Sequence, residues 1–193
     1  MQRMKREKLA GKQNLRTEVI NVARQLFMSK GYENVGMRDI AQVLGQQPTQ
    51  VYRLNLCKAD ILAELILELN EAQIAKLPTI KTQIKGESVL EKVSSYVELL
   101  YEFDIEHMPI RQVAASHGWS WSISYEEKHS KQVRQYLEPI ETWMTDAGLS
   151  NVRARSLGIF SLYYIGYREA VIRQASATDC LKMIRTSLSY FCV

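Results

Sequence analysis

Apolar residues recur along this chain at steps of three and four, the spacing that gathers them on one face of a helix. Leu15, Val19, Ala23, Leu26 and Phe27 follow it, with Glu18, Arg24, Gln25 and Lys30 elsewhere around the wheel, and they predict an amphipathic helix over 15–30. Gly31 supplies its stop, because a glycine there can take the left-handed conformation and Tyr32 can fold back on Phe27. A short second helix is predicted over 37–44: Gly36 is a tolerable N-cap, Asp39 favours the dipole from the first turn, Ile40, Ala41 and Leu44 share a face, and Gly45 ends it. Pro48 suits the first position of a third helix, where its missing N–H is not needed.

Beyond it the pattern repeats on a longer scale. Ile61, Leu62, Leu65, Leu69 and Ala72 predict a long helix over 58–77, broken by Pro78. Val89, Val93, Tyr96, Val97, Leu100 and Phe103 predict another over 87–107, followed after Pro109 by a short apolar run over 110–115. Val133, Tyr136, Leu137, Ile140 and Met144 mark a helix over 125–144 with Gly148 past its end, the next begins near Ser150 or Asn151, and Leu181, Ile184, Leu188 and Phe191 form a last stripe. No repeated Val/Ile/Thr alternation signals a sheet. With 46% apolar and 24% charged residues in 193, the expected protein is soluble, globular and all-α.

Charge divides the chain. Residues 1–58 hold 11 Lys/Arg against 4 Asp/Glu, whereas 59–193 hold 14 against 17. A basic N-terminal third on a mildly acidic remainder points to a polyanion-binding module carried by a body without that task. No window approaches the 18 or so apolar residues of a membrane span, and the basic start leads into a charged amphipathic stretch instead of an apolar signal core. A cytoplasmic protein that does not engage membranes is the expectation. Cys57, Cys180 and Cys192 are far apart and lack a CxxC or Cys/His cluster, and His107, His117 and His129 lack the i, i+3 or i, i+4 spacing of paired ligands, so neither metal nor cofactor is expected. A GxSxG elbow, an HExxH helix and a phosphate-cradling glycine loop are also missing, which argues against an enzyme.

Two short helices joined by a glycine-containing turn, after a longer supporting helix, make a helix-turn-helix whose second helix can enter a major groove. At its N-terminal end stand Gln46, Gln47, Thr49 and Gln50, where amides can bond adenine edges and a threonine methyl can touch that of thymine. Tyr52, Arg53 and Lys58 follow as candidate phosphate contacts that hold register, and Arg38 joins the DNA-contacting set.

Ala23, Phe27, Gly31-Tyr32, Asp39-Ile40-Ala41, Gly45, Val51-Tyr52 and Lys58 stand in an order and spacing that resembles the tetracycline-repressor (TetR-like) family of bacterial transcription regulators, over about residues 15–65. The chain departs from that pattern at Gly36 and Gln47, where hydroxyl caps are usual, at Leu54-Asn55, where His-Phe is usual, and at Cys57, where a small polar cap is usual. Leu54 or Leu56 is expected to fill the core instead. The organisation that follows is a basic arm and helix-turn-helix DNA-binding domain over 1–60 and a ligand-binding and dimerisation bundle over 61–193.

The run from Leu157 to Tyr167 has almost no polar face and so should be surrounded by protein on nearly all sides, more than one bundle provides. Gly158, Leu162 and Gly166 along one line of it, with Leu181, Ile184 and Leu188 of the final helix, are the expected interface of a two-fold homodimer, an arrangement that the resemblance also implies. The resemblance implies an inducer pocket too. Tyr96, Tyr101, Phe103, Trp119, Trp121, Tyr163 and Tyr167 exceed what simple packing needs and carry mostly polar tips, and His117 beside the tryptophans can hydrogen-bond a polar group of a small-molecule effector. The expected function is a repressor that binds a palindromic or near-palindromic double-stranded operator and is released by a small hydrophobic or amphipathic molecule. The alternative keeps the DNA head but makes the protein an architectural or partner-binding factor without an inducer.

Overall fold

The structure is a computed structural model that describes residues 2–117 and 121–193, with side chains at Arg6 and from Leu9 onward. Its described residues form α1 (Gln2–Lys30), α2 (Met37–Val43), α3 (Pro48–Tyr52), α4 (Lys58–Gln83), α5 (Val89–Glu106), α6 (Met108–His117), α7 (Ile123–Asp146), α8 (Val152–Arg173) and α9 (Ala177–Ser189), with no strand among them. They make two compact units, one of residues 1–68 with 109–126 and the other of residues 69–108 with 127–193.

In the N-terminal unit Val19, Ile20, Ala23, Leu26 and Phe27 of α1, Ile40 and Ala41 of α2, and Val51 of α3 are buried, as are Ile61, Leu62 and Leu65 of α4. α2 packs on both α1 and α3. Gly31 ends α1 at φ +80°, its N–H donates to the Phe27 carbonyl at 3.1 Å, and the Phe27 and Tyr32 rings meet edge-on at 5.0 Å. A second small cluster joins Ala63 and Leu67 to Tyr125, with Trp121 against it. The Tyr125 hydroxyl donates to Glu64 at 2.8 Å.

The C-terminal unit is built around Val93, Tyr96, Val97, Leu100 and Tyr101 of α5, Leu137, Ile140 and Met144 of α7, Ile159, Tyr167 and Ala170 of α8, and Cys180, Leu181, Ile184 and Leu188 of α9. α9 lies against α5 and α8. α5 begins with a reciprocal cap, in which Ser88 Oγ accepts the Glu91 N–H at 3.3 Å and the Glu91 carboxylate accepts the Ser88 N–H at 3.0 Å. Those bonds hold the Glu91 carboxyl below the usual carboxylate range.

Two helices run well past their predicted ends. α1 begins at Gln2, well before its apolar stripe starts at Leu15. α4 continues through Pro78 to Gln83 instead of breaking there. A proline removes one N–H and crowds the preceding turn, but Leu77 and Ile80 on either side are buried in the core while Pro78 faces solvent, so packing outweighs the local defect. α7 likewise contains Pro139 between the buried Leu137 and Ile140.

Candidate nucleic-acid interface

The turn between α2 and α3 is set by Gly45. At φ +63° its N–H donates to the Gln42 carbonyl at 3.1 Å while the Gln46 N–H reaches the Ala41 carbonyl at 3.0 Å, a double closure that fixes where the next helix starts. Neither short helix has a side-chain N-cap: Gly36 relies on Asp39, whose carboxylate accepts the Gly36 N–H at 2.6 Å, and Gln47 makes no cap bond. Asn55 closes α3 from the left-handed region at φ +54°, a conformation that asparagine tolerates better than most residues. Leu54 and Leu56 both turn into the core at 5% exposure, so the departure from the usual pattern keeps the unit packed. Cys57 does cap α4, its Sγ accepting the Asp60 N–H at 3.4 Å as the Asp60 carboxylate accepts the Cys57 N–H at 2.9 Å.

Val51 is fully buried, so α3 turns its other side outward: Gln47, Thr49, Gln50, Tyr52 and Arg53 are exposed or half-exposed, and Gln46 lies beside them at the turn. The unit's cations sort by partner. Arg16 and Arg24 are ion-paired to Glu64 and Glu68 of α4. Arg38 and Arg53 reach solvent and have no ion pair among the described residues, so their charge faces water uncompensated. Lys58 has its ammonium 4.0 Å from the centre of the Tyr32 ring, a cation–π contact that holds the group at the start of α4. Tyr32 is the residue that sequence reasoning misses here; the sequence pattern shows it only as a lid on Phe27.

The eight residues expected to line a pocket do not fall in one unit. His117 and Trp121 belong to the N-terminal unit, and Trp119 lies outside the described residues. His117 meets the Tyr32 ring edge-on at 5.0 Å, with its Nε2 at 3.6 Å from Glu33. Tyr96, Tyr101, Phe103, Tyr163 and Tyr167 belong to the C-terminal unit, where they are packed and bonded within the chain. Tyr101 stacks on Tyr163 at 4.4 Å and donates to its carbonyl at 2.9 Å, the Tyr163 hydroxyl donates to Asp104 at 2.7 Å, and Tyr167 reaches Met108 Sδ at 3.2 Å. Tyr96 donates to the Tyr136 carbonyl at 3.0 Å. Burial pushes the Tyr96 and Tyr101 phenols well above their ordinary range, so both are donors at any ordinary pH. Phe103 stacks on His107 at 4.5 Å beneath the Lys76 ammonium.

Elsewhere in this unit an open depression of about 390 Å³ is lined by Lys81, Ile84, Gly86, Lys92, Pro139, Thr142 and Trp143. Its lining combines apolar surface with two lysines that have no ion pair among the described residues. Periodicity gives no signal for it, because its residues come from α5, α7 and the end of α4 with its following loop. Among the described residues no group of His, Cys, Asp and Glu could hold a metal ion. No described helix is long and apolar enough to cross a membrane. Cys180 and Cys192 are buried and Cys57 is exposed, and burial pushes the Cys192 thiol up to about 11.

The residues expected at a dimer contact are largely occupied within the chain. Leu181, Ile184 and Leu188 belong to the core, and a Cβ on Gly166 would collide with the Tyr101 hydroxyl and stand 2.8 Å from the Cys180 carbonyl, so that glycine serves the approach of α8 to α5 and α9. Gly158 makes room for the Phe191 ring, and Leu162 is half-buried against the same core. Within the single chain the apolar run of α8 is covered on only part of its surface. Leu157, Tyr164, Ile165 and Ile172 are 44, 42, 48 and 62% exposed, and Met183 of α9 is 57% exposed.

Residues 19–65 match the family model of bacterial regulatory proteins, tetR family. No curated protein matches the chain. Among solved structures, a bacterial regulatory protein in the tetR family from Rhodococcus RHA1 is similar at 18% identity and a TM-score of 0.65, over 91% of this chain and 95% of that one. A TetR/AcrR-family transcriptional regulator from Thermobifida fusca is similar at 20% identity and 0.63, over 91% and 96%. The transcriptional regulator FadR from Bacillus subtilis, solved in complex with stearoyl-CoA, is similar at 17% identity and 0.63, over 91% and 97%.

Proposed function

We propose that this TetR-like transcriptional regulator binds a palindromic or near-palindromic operator as a homodimer, acts as a repressor, and is released by a small hydrophobic or amphipathic molecule. The observation that carries the DNA-binding part is α3 itself: Gln47, Thr49 and Gln50 lie at the open N-terminal end of a helix set by the Gly45 turn, with Arg38 and Arg53 in the same unit. Amides and a hydroxyl there read base edges, and the cations, with Lys58, hold phosphates. In this reading residues 1–60 are the DNA-binding domain and 61–193 the ligand-binding and dimerisation domain, and no enzymatic step is involved.

For the homodimer we put forward the open side of α8 and α9. Leu157, Tyr164, Ile165 and Ile172 fall at steps of seven and eight along one side of α8, and so much uncovered apolar surface on adjacent helices is typical of an association face. Release requires an effector that binds the DNA-competent and DNA-free states unequally. Two places serve as candidates: the aromatic cluster of Tyr101, Tyr163 and Tyr167, which must open to admit a ligand, and the depression beside Trp143, whose lysines suit an anionic amphipath. The internally satisfied hydrogen bonds of that cluster favour the second reading, an architectural or partner-binding DNA protein without an inducer.

Selection of bound duplexes from a random library, with the mass of the free protein measured alongside, tests the first part. A palindrome selected by a dimer is the expected result, and salt-sensitive binding without sequence preference refutes the regulator reading. Tryptophan fluorescence against a panel that includes acyl-CoA thioesters tests the second. Quenching accompanied by release from the selected duplex is expected, and a panel without effect decides for the inducer-free reading.

A further inference from the structure

The described side chains in the first half of α1 have no evident work inside the fold. The buried stripe starts with Val19, and before Leu15 the described side chains Arg6, Leu9, Ala10, Lys12, Gln13 and Asn14 are all exposed, Leu9 to 69%. Gly11 sits in the middle of this stretch with no atom within 4 Å of the place a Cβ would take, so no close approach requires a glycine there. Glycine inside a helix costs about 1 kcal/mol relative to alanine. Burial of the described side chains therefore does not account for the helix before Leu15.

Its composition does have an explanation. Arg3, Lys5, Arg6, Lys8 and Lys12 stand against Glu7 alone in residues 1–14. Lys5, Lys8 and Lys12 are at i, i+3 and i+7, the register that shares one helix face, and like charges so placed disfavour the helix in water by a few tenths of a kcal/mol per pair. A polyanion reverses the sign of that effect. The segment belongs to the same compact unit as α3, and duplex DNA presents one phosphate per roughly 1.7 Å of axis, a density matched to three cations spread over about 10 Å of helix.

We propose that residues 2–14 are a second DNA-binding element, a basic helical arm that binds the phosphates of the duplex flanking the bases read by α3. The inference rests on the operator-binding reading and adds a contact to it. The arm carries no base readers of its own, so it lengthens the footprint and strengthens binding without changing sequence preference. Gly11 gives it a point at which to bend along the duplex.

The test uses the full chain and the combined variant Lys5→Gln, Lys8→Gln, Lys12→Gln, each titrated at several salt concentrations onto the selected site with and without flanking base pairs. The slope of log K against log salt is expected to fall by about 3 units in the variant, at about 0.9 for each phosphate that is no longer neutralised. The gain that flanks give the parent protein is expected to vanish, with base preference and thermal midpoint unchanged. Equal slopes and equal flank effects for the two proteins overturn the arm while leaving operator binding intact. If the parent protein binds neither duplex, the operator reading falls and the arm with it. Loss in the variant of binding to phosphatidylserine vesicles, at unchanged DNA slopes, reassigns the lysines to a membrane surface and overturns the proposal.

Discussion

At the scale of single residues, chemistry and position separate two proposed roles on one small helix and its neighbour. Gln50 is exposed and uncharged, so Gln50→Ala is expected to relax base preference while leaving the salt dependence as it was. Lys58, held over Tyr32, has no base-reading geometry to lose, and Lys58→Ala is expected to weaken binding to all sequences and lower the salt slope by about 1. Titrations onto matched and mismatched duplexes check the division, and identical behaviour of both variants on all sequences refutes it. A second pair tests the C-terminal unit. The fully buried Ser156 hydroxyl donates to Glu141 at 2.6 Å, and Arg153 donates to the same oxygen at 2.7 Å. Burial alone raises the Glu141 carboxyl, but those two donors outweigh it and hold the group below the usual carboxylate range. A lowered folded-state pKa stabilises the fold above the unfolded value, and that contribution is lost as pH falls through the folded one. Ser156→Ala is therefore expected to cost about 1–2 kcal/mol at neutral pH, with the gap narrowing below about pH 4. Urea midpoints at neutral and acid pH measure it; a gap that does not change with pH assigns the hydroxyl to packing alone.

At the scale of elements, helix boundaries follow from the sequence where a local device sets them and escape it where packing does. Gly31, Gly45 and Pro48 each act within one turn, so the ends of α1 and α2 and the start of α3 are legible. Pro78 and Pro139 act locally too, but buried neighbours on both sides hold their helices together, and nothing in the proline itself tells of that. Pro78→Ala restores a backbone N–H to a continuous, solvent-facing stretch of α4. It is expected to raise stability by about 1 kcal/mol, less than the ~3 kcal/mol of an unadapted helix, because proline also restricts the unfolded chain. Chemical denaturation checks it, and a loss of stability would show that the packing at Ile80 depends on the proline. The site divides in the same way. On α3, burial of Val51 dictates which neighbours face out, so the outward set proposed as base readers is legible from the register. In the body, a packed aromatic core and a ligand pocket draw on the same residue types, and the three-dimensional bonding of Tyr96, Tyr101 and Tyr163 is not legible in the sequence. An apolar run such as Leu157 to Tyr167 of α8 predicts cover on more than one side but not which side its own chain covers.

At the scale of the whole molecule, that last ambiguity becomes a prediction. Gly166, Leu181, Ile184 and Leu188 serve the folding of one chain, whereas Leu157, Tyr164, Ile165, Ile172 and Met183 remain open on it. Truncation of a core member such as Leu188 to alanine removes buried packing and leaves a cavity, at a cost of about 2–5 kcal/mol whatever the protein concentration. A charge on the open side has the opposite profile. Ile165 is 48% exposed and Met183 57%, so glutamate at either position is solvated in the single chain and meets an apolar surface only when a second copy approaches. Ile165→Glu and Met183→Glu are therefore expected to convert a dimer to a monomer in sedimentation while far-UV circular dichroism and cooperative unfolding persist. Because a palindromic site is held by two heads at once, the same variants are expected to lose about a hundredfold or more in affinity for it while half-site binding survives. Dimers that persist in both variants, or operator affinity unaffected by their dissociation, would place the association face elsewhere on the chain.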